Sequence, residues 1–188
     1  MTDTRELKKA LRRRVRTLKA EVPPAAMRRE AEAVFAAIEA LPEFAAAGHI
    51  LLYYSLPDEL PSHFVVERWA AAGKNVYLPR MTGPGHMEAV PSDGTNLSDD
   101  NPFHVMEPQG PASNHPIDMV IVPAVALDRR LHRMGRGKGY YDHWLAEHPE
   151  ALRVGVALDC QLLDTIPTEP HDVALHHVFT ASTHLQNT

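Results

Sequence analysis

Residues 119–127, Met-Val-Ile-Val-Pro-Ala-Val-Ala-Leu, form a nearly unbroken apolar run rich in β-branched side chains. A strand with one wet face alternates apolar and polar residues. This one does not, so it reads as a strand buried on both faces, the mark of an α/β chain. Asp128, Arg129 and Arg130 break the run. Residues 133–142 then read Arg-Met-Gly-Arg-Gly-Lys-Gly-Tyr-Tyr-Asp. Gly135, Gly137 and Gly139 let the backbone bend and approach a ligand closely. Arg133, Arg136 and Lys138 put positive charge on the same bend. Residues 140–148 have the spacing of a short helix stopped by Pro149, with Tyr141, Trp144, Leu145 and His148 as its buried stripe. The order is therefore buried strand, cationic glycine loop, helix start. Ligands of open α/β sheets bind beyond the carboxyl ends of strands, and helix N-termini offer free N–H groups to anions. The loop suits a polyanion, phosphate above all. It is not a Walker A loop, which needs Gly-x-x-x-x-Gly-Lys and then Ser or Thr. It is not the Rossmann fingerprint either, because its third glycine comes one residue early. The residues alone leave open a plain glycine-rich turn with solvated cations.

Elsewhere the pattern alternates helix and strand. Residues 4–20 predict a basic helix, with Leu7, Leu11, Val15 and Leu18 on one face. Pro23 and Pro24 end it and open the next, where proline suits a first turn. The second helix carries Met27, Ala31, Val34, Phe35, Ile38 and Leu41 as its stripe and stops at Pro42. Residues 49–54 predict a strand, 55–61 a loop, 62–72 a helix closed by Gly73, and 76–79 a second strand. That is a βαβ unit with a parallel strand pair. Residues 82–118 read as loops around a short edge strand at 87–90. The strand at 119–127, the loop, its helix and a strand at 152–158 make a second βαβ unit, and 178–180 a last short strand. No repeat or linker divides the chain. The expectation is α/β, one domain over residues 1–188, with a mostly parallel sheet.

With 188 residues, the chain can bury roughly 70% of its unfolded surface. The single cysteine, Cys160, excludes an internal disulfide and fits a reducing compartment; it reads as a small core residue. No run approaches a membrane span, and residues 1–6 lead straight into a charged helix, so cytoplasmic residence is expected. Net charge is −5, but residues 1–30 carry +6 (ten Lys or Arg, four Asp or Glu), which leaves −11 on the rest. An acidic body without a recognition motif argues against a nucleic-acid partner. The 12 histidines are scattered, and with one cysteine a structural zinc is not expected.

The segment 135–142, Gly-Arg-Gly-Lys-Gly-Tyr-Tyr-Asp, preceded by Arg133, resembles the 5-formyltetrahydrofolate cyclo-ligase (5,10-methenyltetrahydrofolate synthetase) family. Weaker features follow in the family's order: Lys8-x-x-Leu11-Arg12, the run 54–59 (Tyr-Ser-Leu-Pro-Asp-Glu), Leu78-Pro79-Arg80, the segment 103–108, and His171-Asp172-Val173. The resemblance implies a three-layer α/β/α sandwich and an ATP- and magnesium-dependent cyclisation of 5-formyltetrahydrofolate to 5,10-methenyltetrahydrofolate, ADP and phosphate. The partners it implies are small molecules, with no membrane and no obligate protein partner.

The same resemblance distributes roles. Arg136 and Lys138 become the clamp on the transferred phosphoryl group. Lys8, Arg12, Arg133, Met134, Gly135, Gly137, Gly139, Tyr140 and Tyr141 join them around ATP. Tyr54, Glu59 and Phe103 fall where the family contacts the folate, with Phe103 in place of a frequent Trp. Asp142 and Asp172 become magnesium ligands, although His176 stands where the family often has an acid. For several positions the residues alone admit a plainer role: Asp142 as a first-turn helix carboxylate, Asp172 and Glu59 as surface acids, Phe103 as a core aromatic.

Overall fold

A computed structural model describes residues 4–170 and 172–187. It begins with α1 (Thr4–Ala20), and its inward face keeps only Leu11 and Val15 of the expected stripe. Lys8, Val15 and Lys19 are buried, while Leu7 and Leu18 are exposed at 44% and 37%. The reason is electrostatic. Acidic partners wait on the inner side for both lysines, and a buried charge is tolerated only when paired.

The second helix, α2 (Pro24–Glu39), buries Met27, Ala31, Val34, Phe35 and Ile38 as expected. Pro42 does more than stop it, because it opens the short α3 (Pro42–Ala46). Then follow β1 (His49–Leu52), α4 (His63–Ala71) and β2 (Asn75–Gly83). Gly73 closes α4 with φ +85°, where a side chain would be strained. β1 and β2 are parallel, with Ile50 opposite Val76. β2 runs further than the sequence suggested and turns into β3 (His86–Pro91), which is the edge strand expected at 87–90, now seen to pair antiparallel with β2 in a hairpin. A small ladder of β4 (Leu97–Ser98) and β5 (Glu107–Pro108) orders the rest of that region.

The apolar run at 119–127 is two strands rather than one. β6 (Met119–Pro123) lies in the central sheet, and β7 (Ala126–Asp128) leaves it. Pro123 has no N–H to extend the ladder, and the chain turns there. Val125 N donates to Met134 O (2.8 Å), and β7 pairs with β8 (Arg133–Met134). Next come α5 (Tyr140–Glu147) and β9 (Leu152–Val156). Cys160 sits in a single 3-10 turn after β9, half-buried. Burial, with Glu30 nearby, pushes its thiol pKa up, which suits an inert residue. β10 (Leu162–Leu163) joins β7. β11 (His177–Thr180) and β12 (Thr183–Gln186) close the described chain.

Among the described residues the central sheet runs β12-β11-β9-β6-β1-β2-β3. Its five inner strands are parallel and its two edges antiparallel. Alternate residues of each strand go to opposite faces. Ile50, Leu52, Val76, Leu78, Met119, Ile121 and Val154 pack with α2, α3 and α4, where Phe35 sets its ring edge-on to Phe64 and Trp69. Leu51, Tyr77, Val120, Val122 and Val178 pack with Trp144 and Leu145 of α5. Sheet and two helical covers make the three expected layers. Strand order reverses between β1 and β6, since the chain steps outward one way from β1 and the other way from β6. That switch point leaves a crevice beyond their carboxyl ends.

Candidate active site

A cleft of about 630 Å³ opens there. Tyr53, Tyr54, Leu56 and Glu59 line it after β1, and Pro123, Ala124 and Val125 after β6. The loop 133–139 forms one wall and runs into the N-terminus of α5. Its three glycines serve two purposes. Gly137 and Gly139 take φ of +94° and +77°, so they make the bend. Gly135 instead makes room, because a Cβ there would stand 2.6 Å from the Arg133 guanidinium. Arg133 is thereby tucked beneath the loop, its side chain only 4% exposed and its Nη2 2.5 Å from Asp142 Oδ1. Its Nε is buried without a hydrogen-bond partner, as is the Tyr141 hydroxyl. Both orphan donors belong to residues that line the cleft. Burial, together with the charge of Glu59, pushes the Tyr141 phenol well up, so it stays a neutral donor.

α1 brings its cations to the same place. Val15 anchors the helix against Ala126, Met134 and Ile166. One turn away Arg12 Nε donates to Gly135 O (2.9 Å) and holds the loop's backbone. Lys8 Nζ reaches Glu169 at 2.7 Å and Asp172 at 2.8 Å. Burial alone would lower the Lys8 pKa, but these two carboxylates outweigh it and raise it.

The opposite wall is apolar. Pro79, Met81, Met87, Phe103, Val105 and Met106 line it, with Glu107 among them. Phe103 is not a core aromatic, being 51% exposed at the cleft mouth, where Lys138 Nζ lies 4.5 Å from its ring centroid. Tyr54 stacks on His63 at 3.9 Å. Between the walls stands Glu59, 13% exposed. Its Oε2 accepts from Leu56 N (3.0 Å) and its Oε1 from Arg136 Nε (3.1 Å). Asp142 lies in the first turn of α5, yet its oxygen is directed to Arg133 within the cleft. Every residue given a role by the family resemblance lines this cleft: Lys8, Arg12, Tyr54, Glu59, Phe103, residues 133–142 and Asp172. His171 lies outside the described residues.

The sequence pattern of the 5-formyltetrahydrofolate cyclo-ligase family matches residues 4–181. The chain belongs to that family. As a member it is an enzyme, a ligase of folate one-carbon metabolism. It is 29% identical to a probable 5-formyltetrahydrofolate cyclo-ligase of Caenorhabditis elegans, over 95% of this chain and 94% of that one. It is 31% identical to the 5-formyltetrahydrofolate cyclo-ligase of Escherichia coli K12, over 75% and 82% of the two chains. The NMR structure of Aquifex aeolicus 5,10-methenyltetrahydrofolate synthetase superposes with a TM-score of 0.82 at 28% identity, covering 96% of this chain and 92% of that one.

The cleft fits what the family resemblance implies about magnesium only in part of its shell. Among the described residues no three His, Cys, Asp or Glu side chains gather as a metal group. Magnesium does not require three, since it takes one or two carboxylates and completes its shell with phosphate oxygens and water. Asp142 and Asp172 supply hard oxygen donors on the cleft lining. His176 is no replacement ligand, because its Nδ1 accepts from Arg153 N (2.9 Å) and its Nε2 lies 3.0 Å from Arg153 Nη2.

The residue the sequence reading missed is Lys19. It lines the cleft with a side chain 7% exposed. A signal was present: positions 8, 12, 15 and 19 share one helix face. Val15 of the expected stripe belongs to that face, whereas Leu7 and Leu18 lie off it.

Proposed function

We propose that the chain closes 5-formyltetrahydrofolate to 5,10-methenyltetrahydrofolate at the expense of ATP, with the whole chain acting as one domain. The observation that carries this is the make-up of the single cleft, where a cationic glycine loop faces an apolar wall and Glu59 stands between them. A triphosphate suits the first wall and a flat pterin with donor N–H groups suits the second.

The formyl carbon is a poor electrophile because its nitrogen lone pair feeds the carbonyl. In this reading the formyl oxygen attacks the γ-phosphorus and ADP departs. Folate N10 then attacks the activated carbon, phosphate leaves, the N10 proton is lost and the ring closes. The protein's part is placement and charge stabilisation. Arg136 grips phosphoryl oxygens with its planar fork, and Lys138 acts as a mobile point charge. Lys8, Arg12 and Arg133 neutralise the remaining phosphates, and the backbone of 134–141 offers N–H groups. Glu59 accepts the pterin's N–H groups, while Tyr54 and Phe103 flank its ring. Asp142 and Asp172 would hold magnesium, which neutralises phosphate charge when bound.

The test is direct. Purified protein is mixed with Mg-ATP and 5-formyltetrahydrofolate, and methenyltetrahydrofolate is followed by its absorbance. Product that depends on all three components supports the reading. Folded protein that makes none rejects it.

A further inference from the structure

One ion-paired cluster joins the glycine loop to the loop after β1 and to α1. Arg136 Nη2 donates to Asp58 Oδ1 at 2.5 Å, and Arg136 Nε donates to Glu59 Oε1 at 3.1 Å. Asp58 is itself fixed from beneath. The buried Lys19 amine donates to Asp58 Oδ2 at 2.8 Å and to the Asp58 backbone carbonyl at 2.5 Å. An isolated exposed Arg–Asp pair is worth little. Here one partner is braced in both backbone and side chain, and the guanidinium is held by two carboxylates at once.

We propose that Asp58, braced by Lys19, is a positioning residue that parks Arg136 on Glu59, and that this parking couples nucleotide and folate binding. The inference rests on the roles given above to Arg136 and Glu59. Arg136 has one planar fork, and its Nε and Nη2 are both engaged. A phosphate seated on the remaining Nη1 edge of Arg136 would lie beside two carboxylate charges, so gripping phosphate works against this contact. Glu59 has Oε1 on Arg136 and Oε2 on Leu56 N, so a pterin that uses both oxygens competes with Arg136 for Oε1. Each ligand therefore weakens the same contact, and the second ligand finds it already weakened. Such coupling is positive and reciprocal, and of a size commonly seen between linked sites, roughly 5- to 150-fold.

The experiment is calorimetric titration of a non-hydrolysable Mg-ATP analogue and of 5-formyltetrahydrofolate, each alone and each with the other saturating. In the unaltered protein each ligand should tighten the other at least about fivefold. Asp58→Asn should bind the analogue about threefold tighter on its own, because less of the protein is held in the parked state, and the coupling should fall toward one. Asp58→Glu should restore it, which a merely structural defect would not. Should Asp58→Asn unfold over its buried amine, Lys19→Met combined with Asp58→Asn removes both partners and should show the same loss of coupling. Unaltered protein that binds both ligands without coupling overturns the inference and leaves the proposed function standing. Coupling that survives in the variants also overturns it. Protein that binds neither ligand overturns the function itself, and the inference falls with it.

Discussion

At the scale of single residues, the site's cations are neutralised by its own carboxylates. Lys8 is paired with Asp172, Arg133 with Asp142, and Arg136 with Glu59. In the proposed function substrates would enter by exchange, with phosphates replacing carboxylates around the cations. Lys138 differs, since its ammonium lies over the face of Phe103, which in the proposed function leaves it the readiest charge for the transferred group. Lys138→Ala should lower kcat by roughly 10²–10³, the usual cost of removing one preorganised charge; near-normal turnover would remove Lys138 from its role. Gly135→Ala tests the tucked Arg133. Its new Cβ must push that guanidinium out of its buried seat, so thermal unfolding should show a loss of about 1–3 kcal/mol and turnover should fall with it. A variant as stable and active as the parent would mean that Arg133 has room to shift.

At the scale of elements, legibility in the sequence follows how local the cause is. Glycine loop, helix start and both βαβ units could be read because turn residues and apolar periods act within a few positions. The stripe of α2 was legible for the same reason. Phe35→Ala, which empties the centre of that stripe, should cost about 3–5 kcal/mol in denaturant unfolding. The face of α1 was legible only in part: Leu11 and Val15 pack inward as read, but what draws Lys8 and Lys19 in beside them lies at Asp58, Glu169 and Asp172, far along the chain. Leu18→Gln should accordingly change stability by less than about 0.5 kcal/mol, measured in the same way. A loss of several kcal/mol would mean that the leucine stripe is the true inner face. The split of 119–127 was hidden too, since both halves are apolar and only the pairing partner of each differs. β12 escaped notice because its burial alternates between half-buried and exposed, giving a weak pattern.

At the scale of the whole molecule, the acid limit of stability should come from the C-terminal edge of the sheet. His176, His177 and His184 all have lowered pKa values. Burial is the main cause in each. The charges of Arg153 and His177 add to it at His176, and that of His184 adds at His177, while Glu43 opposes it at His177 and His184. His177 Nδ1 and His184 Nε2 lie 3.0 Å apart across the β11–β12 pair, so one proton serves both. The unfolded chain takes up protons at about pH 6.5, before the folded one does. Their contribution is therefore complete above that pH and is lost as pH falls below it. Calorimetric melting should show Tm dropping from pH 7 toward pH 5, and His184→Gln should flatten that slope; an unchanged slope would place the acid limit elsewhere.

The parallel topology has a consequence in time. β1 gains its inner neighbour only when β6 has been made, because Ile50 pairs with Met119. Lys8 waits longer still, since its partners lie 161 and 164 positions downstream. Long-range pairings of this kind close late in folding. A chain halted before residue 169 would carry the glycine loop, most of the sheet and the Asp58 partner of Lys19, yet Lys8 would lack both of its acids. The cleft is thus completed by residues far apart in sequence, and the seat of Lys8 is the last part of it to form.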